Sequence, residues 1–273
     1  MASIGQIIFG SMICLIVVIS GILIFILAVA FSASKGNVES TTPSLLGDLE
    51  DDVVLDCRFI ASSSSGQMSD VSVTWLKDAL SGVVYEYKNK APQLQQQNPQ
   101  FKNRAQLFPE VLSTGNVSLL LRNVKLEDDG VYHCAVDAAQ VKGTASIDFR
   151  VAAYSAPTFT AANGSLCAKA KRWFPQPEVL WFNENGQILN SSTSFINKNA
   201  GIVQVTSVLQ EQLQQNFSYT CKIQNALVTG ISEATVTANN VTQKTYFEFS
   251  DASANMPSPG LVLTFLFSLS ALQ

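Results

Sequence analysis

Apolar and polar residues alternate with a period of two through most of the middle of this chain. Val53, Leu55, Cys57 and Phe59 share one face of an extended segment, with Val54, Asp56 and Arg58 on the other. Val71, Val73 and Trp75 repeat the pattern, as do Val117, Leu119 and Leu121, and later Val179 with Trp181. Ile202, Gln204 and Thr206 predict a further strand with a shared face. Clusters of Gly, Asn and Ser separate the runs, so the pattern predicts short strands joined by turns, and an all-β chain.

The two ends break this rhythm. Ile7 to Phe31 is uncharged throughout. As a helix it would span about 37 Å, against a bilayer core of about 30 Å. Ala28-Val29-Ala30 offers a small-x-small cleavage site, so residues 1–31 are expected to be a signal peptide or signal anchor. A second apolar run, Leu261 to Leu272, follows a polar spacer with prolines and the short residues Ser250-Asp251-Ala252. That order is the signature of a glycosylphosphatidylinositol attachment signal, with Ser250 the candidate attachment residue. A short transmembrane segment is the alternative for 261–273. Either tail attaches the chain to the membrane. Every charge lies between Lys35 and Asp251, 17 basic and 21 acidic, for a net charge of −4. This mild balance, without a Lys/Arg cluster, excludes a nucleic-acid partner. The polar middle is expected on the extracellular side of the plasma membrane, at the cell surface.

Within that middle one punctuation occurs twice. Cys57, Trp75, Tyr132 and Cys134 form the first copy; Cys167, Trp181, Tyr219 and Cys221 form the second. Cys, then Trp, then Tyr-x-Cys is the immunoglobulin arrangement, in which a disulfide joins two sheets, the Trp packs on it and the Tyr closes a corner. The pattern predicts two tandem immunoglobulin-like β-sandwiches with bridges Cys57–Cys134 and Cys167–Cys221. The first pair encloses 76 residues, room for the extra strands of a variable-type domain; the second encloses 53, which suits a constant-type domain. The variable-type domain is expected over 38–152, the constant-type over 157–240, and a stalk over 241–260. Arg104 is placed to pair with Asp128, as the corresponding Arg and Asp do in variable-type domains. Five sequons, at Asn116, Asn163, Asn190, Asn216 and Asn240, are candidate N-glycosylation sites and agree with secretion.

Catalysis is not expected. His133 is the one histidine, and it alternates away from the core beside Cys134, so neither a Ser-His-Asp nor a Cys-His set can be assembled. With the four cysteines of the middle assigned to bridges, no metal cluster can form, and no Gly-rich phosphate loop occurs. No cofactor and no small-molecule substrate are expected.

Two stretches go beyond the generic sandwich: Arg172-Trp173-Phe174-Pro175-Gln176-Pro177-Glu178-Val179-Leu180-Trp181, and the opening Met1-Ala2-Ser3-Ile4-Gly5-Gln6-Ile7-Ile8-Phe9. With the variable-then-constant order they resemble the butyrophilin-related family of T-cell costimulatory and coinhibitory ligands, over nearly the whole chain. The resemblance implies a protein receptor on T cells as partner, and negative regulation of T-cell activation, proliferation and cytokine production. A stimulatory ligand or a homophilic or heterophilic adhesion molecule could carry the same domains. It also makes Phe174–Pro175 a candidate cis bond. The outer face of the variable-type sheet is the candidate binding surface. Trp75 and Cys134 point inward, so Leu76, His133 and Asp137 point out, and Tyr85 and Tyr87 are expected beside them.

Overall fold

The computed structural model describes residues 16–24, 38–60, 71–138, 141–162, 164–237 and 240–250. Residues 16–24 are helical; among the described residues no helix is long and apolar enough to cross a membrane. The chain divides into two compact units, 1–149 and 150–273.

Unit 1 contains β1 (Val38–Glu39), β2 (Ser44–Asp48), β3 (Val53–Leu55), β4 (Arg58–Phe59), β5 (Ser72–Lys77), β6 (Tyr85–Lys88), β7 (Ala91–Pro92), β8 (Ala105–Gln106), β9 (Leu119–Leu121), β10 (Gly130–Ala138) and most of β11 (Val141–Ala152), whose last three residues pass the boundary. The front sheet has the order β2-β11-β10-β5-β6-β7, and the back is built from β3-β9-β8 and the β1-β4 pair. The alternation seen in the sequence is the reason. Leu55, Cys57, Val73, Trp75, Leu119 and Leu121 are all fully buried between the sheets. Trp75 Nε1 donates to the Val117 carbonyl at 3.1 Å, and the Tyr132 hydroxyl to the Asp128 carbonyl at 2.8 Å.

Gly115 shows how tightly the turn before β9 is built. Its φ is +87°, and a Cβ there would lie 2.1 Å from the Phe59 carbonyl oxygen, while its own carbonyl accepts the Phe59 N–H at 2.9 Å. Gly115→Ala would therefore combine left-handed strain with a backbone clash. It should cost at least about 2 kcal/mol, read as a lowered denaturant midpoint of unit 1.

Unit 2 contains β12 (Thr158–Ala162), β13 (Ser165–Trp173), β14 (Glu178–Phe182), β15 (Ile188–Leu189), β16 (Ser191–Asn197), β17 (Val203–Leu209), β18 (Phe217–Gln224), β19 (Val228–Val236) and β20 (Val241–Phe249). One sheet runs β12-β13-β17-β16 and the other β15-β14-β18-β19-β20. The Phe174–Pro175 peptide bond is cis. Trp181 is fully buried and donates from Nε1 to Ser207 Oγ at 2.9 Å. On β17 the inward residues are Val203, Val205, Ser207 and Leu209. Gln204 and Thr206 thus share the outer face, one residue out of phase with the core.

Residues 241–249, expected in a stalk, form a strand of unit 2. β20 pairs with β19 along its whole length, from Val236↔Val241 to Val228↔Phe249. Its inward side chains are the reason. The Gln243 amide accepts from Phe159 N–H and donates to the Pro157 carbonyl, replacing a strand partner for β12. Thr245 bonds the buried Ser232 at 2.9 Å. Phe247 lies over Gly230, where a Cβ would come within 3.0 Å of its ring.

Candidate binding face

The front face of unit 1 is set from below by its core and from one end by a buried ion pair. Arg104 Nη1 and Nη2 reach Asp128 Oδ2 and Oδ1, each at 2.8 Å. The Asp128 carboxylate is fully buried and also accepts from Gln100 Nε2 and the Lys125 N–H, both at 2.9 Å. Burial by itself would raise the Asp128 carboxyl, but these donors, Arg104 first, hold it below the usual carboxylate range. Arg104 is further tied to the carbonyls of Gln100 and Asn123. Asp128 is itself the last residue of the 3-10 turn Leu126–Asp128 that leads into β10, so the pair anchors that turn.

Strand register then dictates the outward side chains. Directly opposed residues of an antiparallel pair share a face. His133 lies between Leu76 and Ser146, Ala135 between Thr74 and Thr144, and Asp137 between Ser72 and Lys142; Thr74 in turn lies opposite Glu86. His133 is held at both ring nitrogens, Nδ1 2.9 Å from Ser146 Oγ and Nε2 2.7 Å from Asp78 Oδ1. Lys142 Nζ reaches Asp137 at 3.0 Å, an exposed pair of small energetic weight. Leu76, exposed at 39%, is the large apolar side chain on a surface otherwise made of small and polar residues. Leu76, His133 and Asp137 therefore face outward together.

Tyr85 and Tyr87 do not join them. Tyr85 lies opposite Trp75 and Tyr87 opposite Val73, which places both on the core side, and Tyr85 is only 5% exposed. Glu86 takes the outward place on β6. Sequence alternation had no purchase here, because Val84 and Tyr85 are consecutive buried residues where β6 enters the sheet. Thr74 and Ala135, which the parity of Trp75 and Cys134 also turns outward, lie on the same face, and Thr144 and Glu86, which sequence reasoning passed over, complete it.

The cysteines differ between the units. Cys57 and Cys134 are joined, while Cys167 and Cys221 are free thiols. The expected Cys167–Cys221 bridge fails on phase. On β13 the buried side chains are Leu166, Ala168, Ala170 and Trp173, and Cys167 turns outward with Lys169 and Lys171. A register shift between Ala170 and Trp173 inserts one extra outward residue. Alternation counted back from Trp173 reaches Cys167, but the bulge transfers the inward place to Ala168. Cys221 remains buried, and burial pushes its thiol well above the ordinary range. Among the described residues no group of His, Cys, Asp and Glu could hold a metal ion.

Asn190, Asn216 and Asn240 are exposed. Asn116 is half-buried, its Oδ1 accepting from the Ser118 hydroxyl and N–H. Asn163, the cleavage site and the 261–273 tail lie outside the described residues. Ser250, at the end of β20, donates its hydroxyl to the Ala226 carbonyl.

Two sandwiches, the first with a nine-residue β10 flanked by β11 and β5 and an outer face that no other strand covers among the described residues, define an immunoglobulin-superfamily protein, a non-enzymatic fold. The immunoglobulin V-set domain family matches residues 40–152, and the immunoglobulin C-type domain of the butyrophilin subfamily 3 member A2-like kind matches 160–231. The chain is 31% identical over 265 residues to the V-set domain-containing T-cell activation inhibitor 1 of Homo sapiens, covering 94% of this chain and 92% of that protein. Its identity to the Rattus norvegicus protein of the same name is 33% over 268 residues, covering 95% and 92%. The crystal structure of bovine butyrophilin shares the fold, with a TM-score of 0.54 at 20% identity over 77% of this chain and 97% of that one. The chain belongs to the family of V-set domain-containing T-cell activation inhibitors.

Proposed function

We propose that this chain is a cell-surface ligand, attached to the membrane through its C-terminal segment, that engages a protein receptor on T cells and restrains their activation, proliferation and cytokine release. The observation that carries this reading is the similarity, over more than nine-tenths of the chain, to relatives named as T-cell activation inhibitors. The outer face of β11-β10-β5-β6 supplies the contact surface. Leu76 provides an apolar centre, Thr74 and Ala135 are small enough to admit a partner closely, and His133, Asp137, Lys142 and Glu86 form a polar rim.

Leu76→Asp should lower binding to T cells by about tenfold, because a carboxylate would be desolvated at the centre of the contact. Suppression of T-cell proliferation should fall in parallel, while the thermal midpoint stays unchanged because position 76 is exposed. Wild-type binding and suppression by Leu76→Asp, with loss on substitution in unit 2, would move the contact elsewhere. Enhanced proliferation with wild-type protein would reverse the sign of the signal, and aggregation of cells bearing the chain on both sides would replace the ligand reading with adhesion.

A further inference from the structure

Exposed sheet edges are templates for another chain, and most proteins keep them short or blocked. In this chain β1, β7, β8 and β15 are two residues long, and β7 ends in Pro92. β16 is longer, but it follows directly on Asn190, a sequon residue exposed at its start. β12 has its outer edge taken by the Gln243 amide. β20 is different. It runs nine residues without a proline or register shift and ends its sheet with no strand beyond it among the described residues. It also exposes Tyr246 at 56% and Phe249 at 52%.

We propose that β20 is a homodimerisation edge, pairing antiparallel with β20 of a second copy to join the two five-stranded sheets. The charge pattern selects the occupant and the register. A two-fold axis normal to the sheet must pass through a residue, because opposed residues share a face. An axis at Lys244 would oppose lysine to lysine. An axis at Thr245 would set Lys244 against Tyr246 and Glu248 against Thr242. An axis at Tyr246 sets Lys244 against Glu248 of the second copy and Glu248 against its Lys244, with tyrosine on tyrosine between them. It also places Phe249 opposite Gln243, so both exposed aromatics become covered. Lys244 already lies beside Glu233 of β19. The joined sheet would therefore carry a row Glu233–Lys244–Glu248 on each side of the axis. The paired window runs from 243 to 249, leaving Asn240 about 10 Å beyond its end, with room for a glycan. This contact lies in unit 2 and is independent of the receptor face.

Charge exchange tests it on the full-length chain, purified in mild detergent and followed by sedimentation. Wild type should show a concentration-dependent dimer. Lys244→Glu and Glu248→Lys each turn two attractive pairs into repulsive ones and should weaken it by about tenfold or more. An equimolar mixture of the two variants should restore it as a heterodimer, since every pair is then again of opposite charge. Tyr246→Cys should give a dimer linked by a disulfide under mild oxidation, on the axis itself. A chain that is monomeric throughout, a dimer indifferent to both substitutions, or a mixture that stays monomeric would each overturn the proposal. Leu76→Asp should leave the dimer untouched.

Discussion

Replacing Arg104 by methionine should destabilise unit 1 by about 3–5 kcal/mol, because it leaves the Asp128 carboxylate buried without its cation. The two groups exchange a bidentate contact at 2.8 Å with 11% and 0% of their side chains exposed. An exposed pair such as Lys142–Asp137 should contribute less than about 1 kcal/mol by comparison. The pH dependence gives the claim a second readout. In the wild type the Asp128 carboxyl is held below its ordinary value, so the folded state binds this proton less readily than the unfolded chain. The pair's contribution is therefore complete above about pH 4 and drains away as the pH falls through the lower native value. In Arg104→Met burial prevails, the carboxyl rises, and the variant should become relatively more stable as the pH falls from about 7 toward about 5. Denaturant titration at several pH values checks both statements. A loss below about 1 kcal/mol, or the same pH slope in both proteins, would show that Arg104 is not the partner that matters. Removing both partners, as Arg104→Met with Asp128→Leu, should recover part of the loss, since no charge is then left unpaired.

The pair also shows what could be read in advance. Asp128 stands four residues before the Tyr132-x-Cys134 punctuation, at the end of a 3-10 turn, Leu126–Asp128, that leads into β10, so its place was fixed by local sequence. The core of unit 1 was legible for the same reason, since Val73, Trp75, Leu119 and Leu121 alternate without interruption. Legibility failed wherever strand phase is set by something outside the strand. Tyr85 and Tyr87 take theirs from pairing with Trp75 and Val73, across a turn whose geometry the sequence does not announce. β20 has the composition of a strand, with Thr245 and Phe247 alternating against Lys244, Tyr246 and Glu248, but it lies beyond the last strand the spacing called for. Its place depends on Gln243 reaching Phe159, 84 residues earlier in the chain, a long-range contact no local pattern contains.

The second domain's cysteines are the most instructive case, and they lead to a gain of stability. In unit 1, Cys57 accepts the Val117 N–H, Val117 accepts the Trp75 indole, and Trp75 lies opposite Cys134. In unit 2 a corresponding path, with a side-chain hydroxyl in place of the backbone carbonyl, runs from Ala168, opposite Ser207, through the Trp181 indole donating to Ser207 Oγ, to Cys221 opposite Trp181. Ala168 thus holds the place that Cys57 holds in the first domain. Lys169 and Lys171, which share the parity of Cys167, were the signal in the sequence that Cys167 faces solvent. Moving the thiol by one residue, as Cys167→Ser with Ala168→Cys, should create a bridge to Cys221. Closing a loop of that length is worth about 4 kcal/mol by the chain-entropy relation. For a domain of this size that should raise the thermal midpoint of unit 2 by more than about 10 °C. Peptide mapping of the double variant under non-reducing conditions should find the peptide carrying the Ala168→Cys substitution linked to the peptide carrying Cys221, and reduction should abolish the gain. Cys167→Ser alone is the decisive control. With Cys167 on the outer face it should leave the midpoint nearly unchanged, whereas a loss of several kcal/mol would mean that Cys167 itself is bridged to Cys221 and that β13 lies one residue away from the register found here.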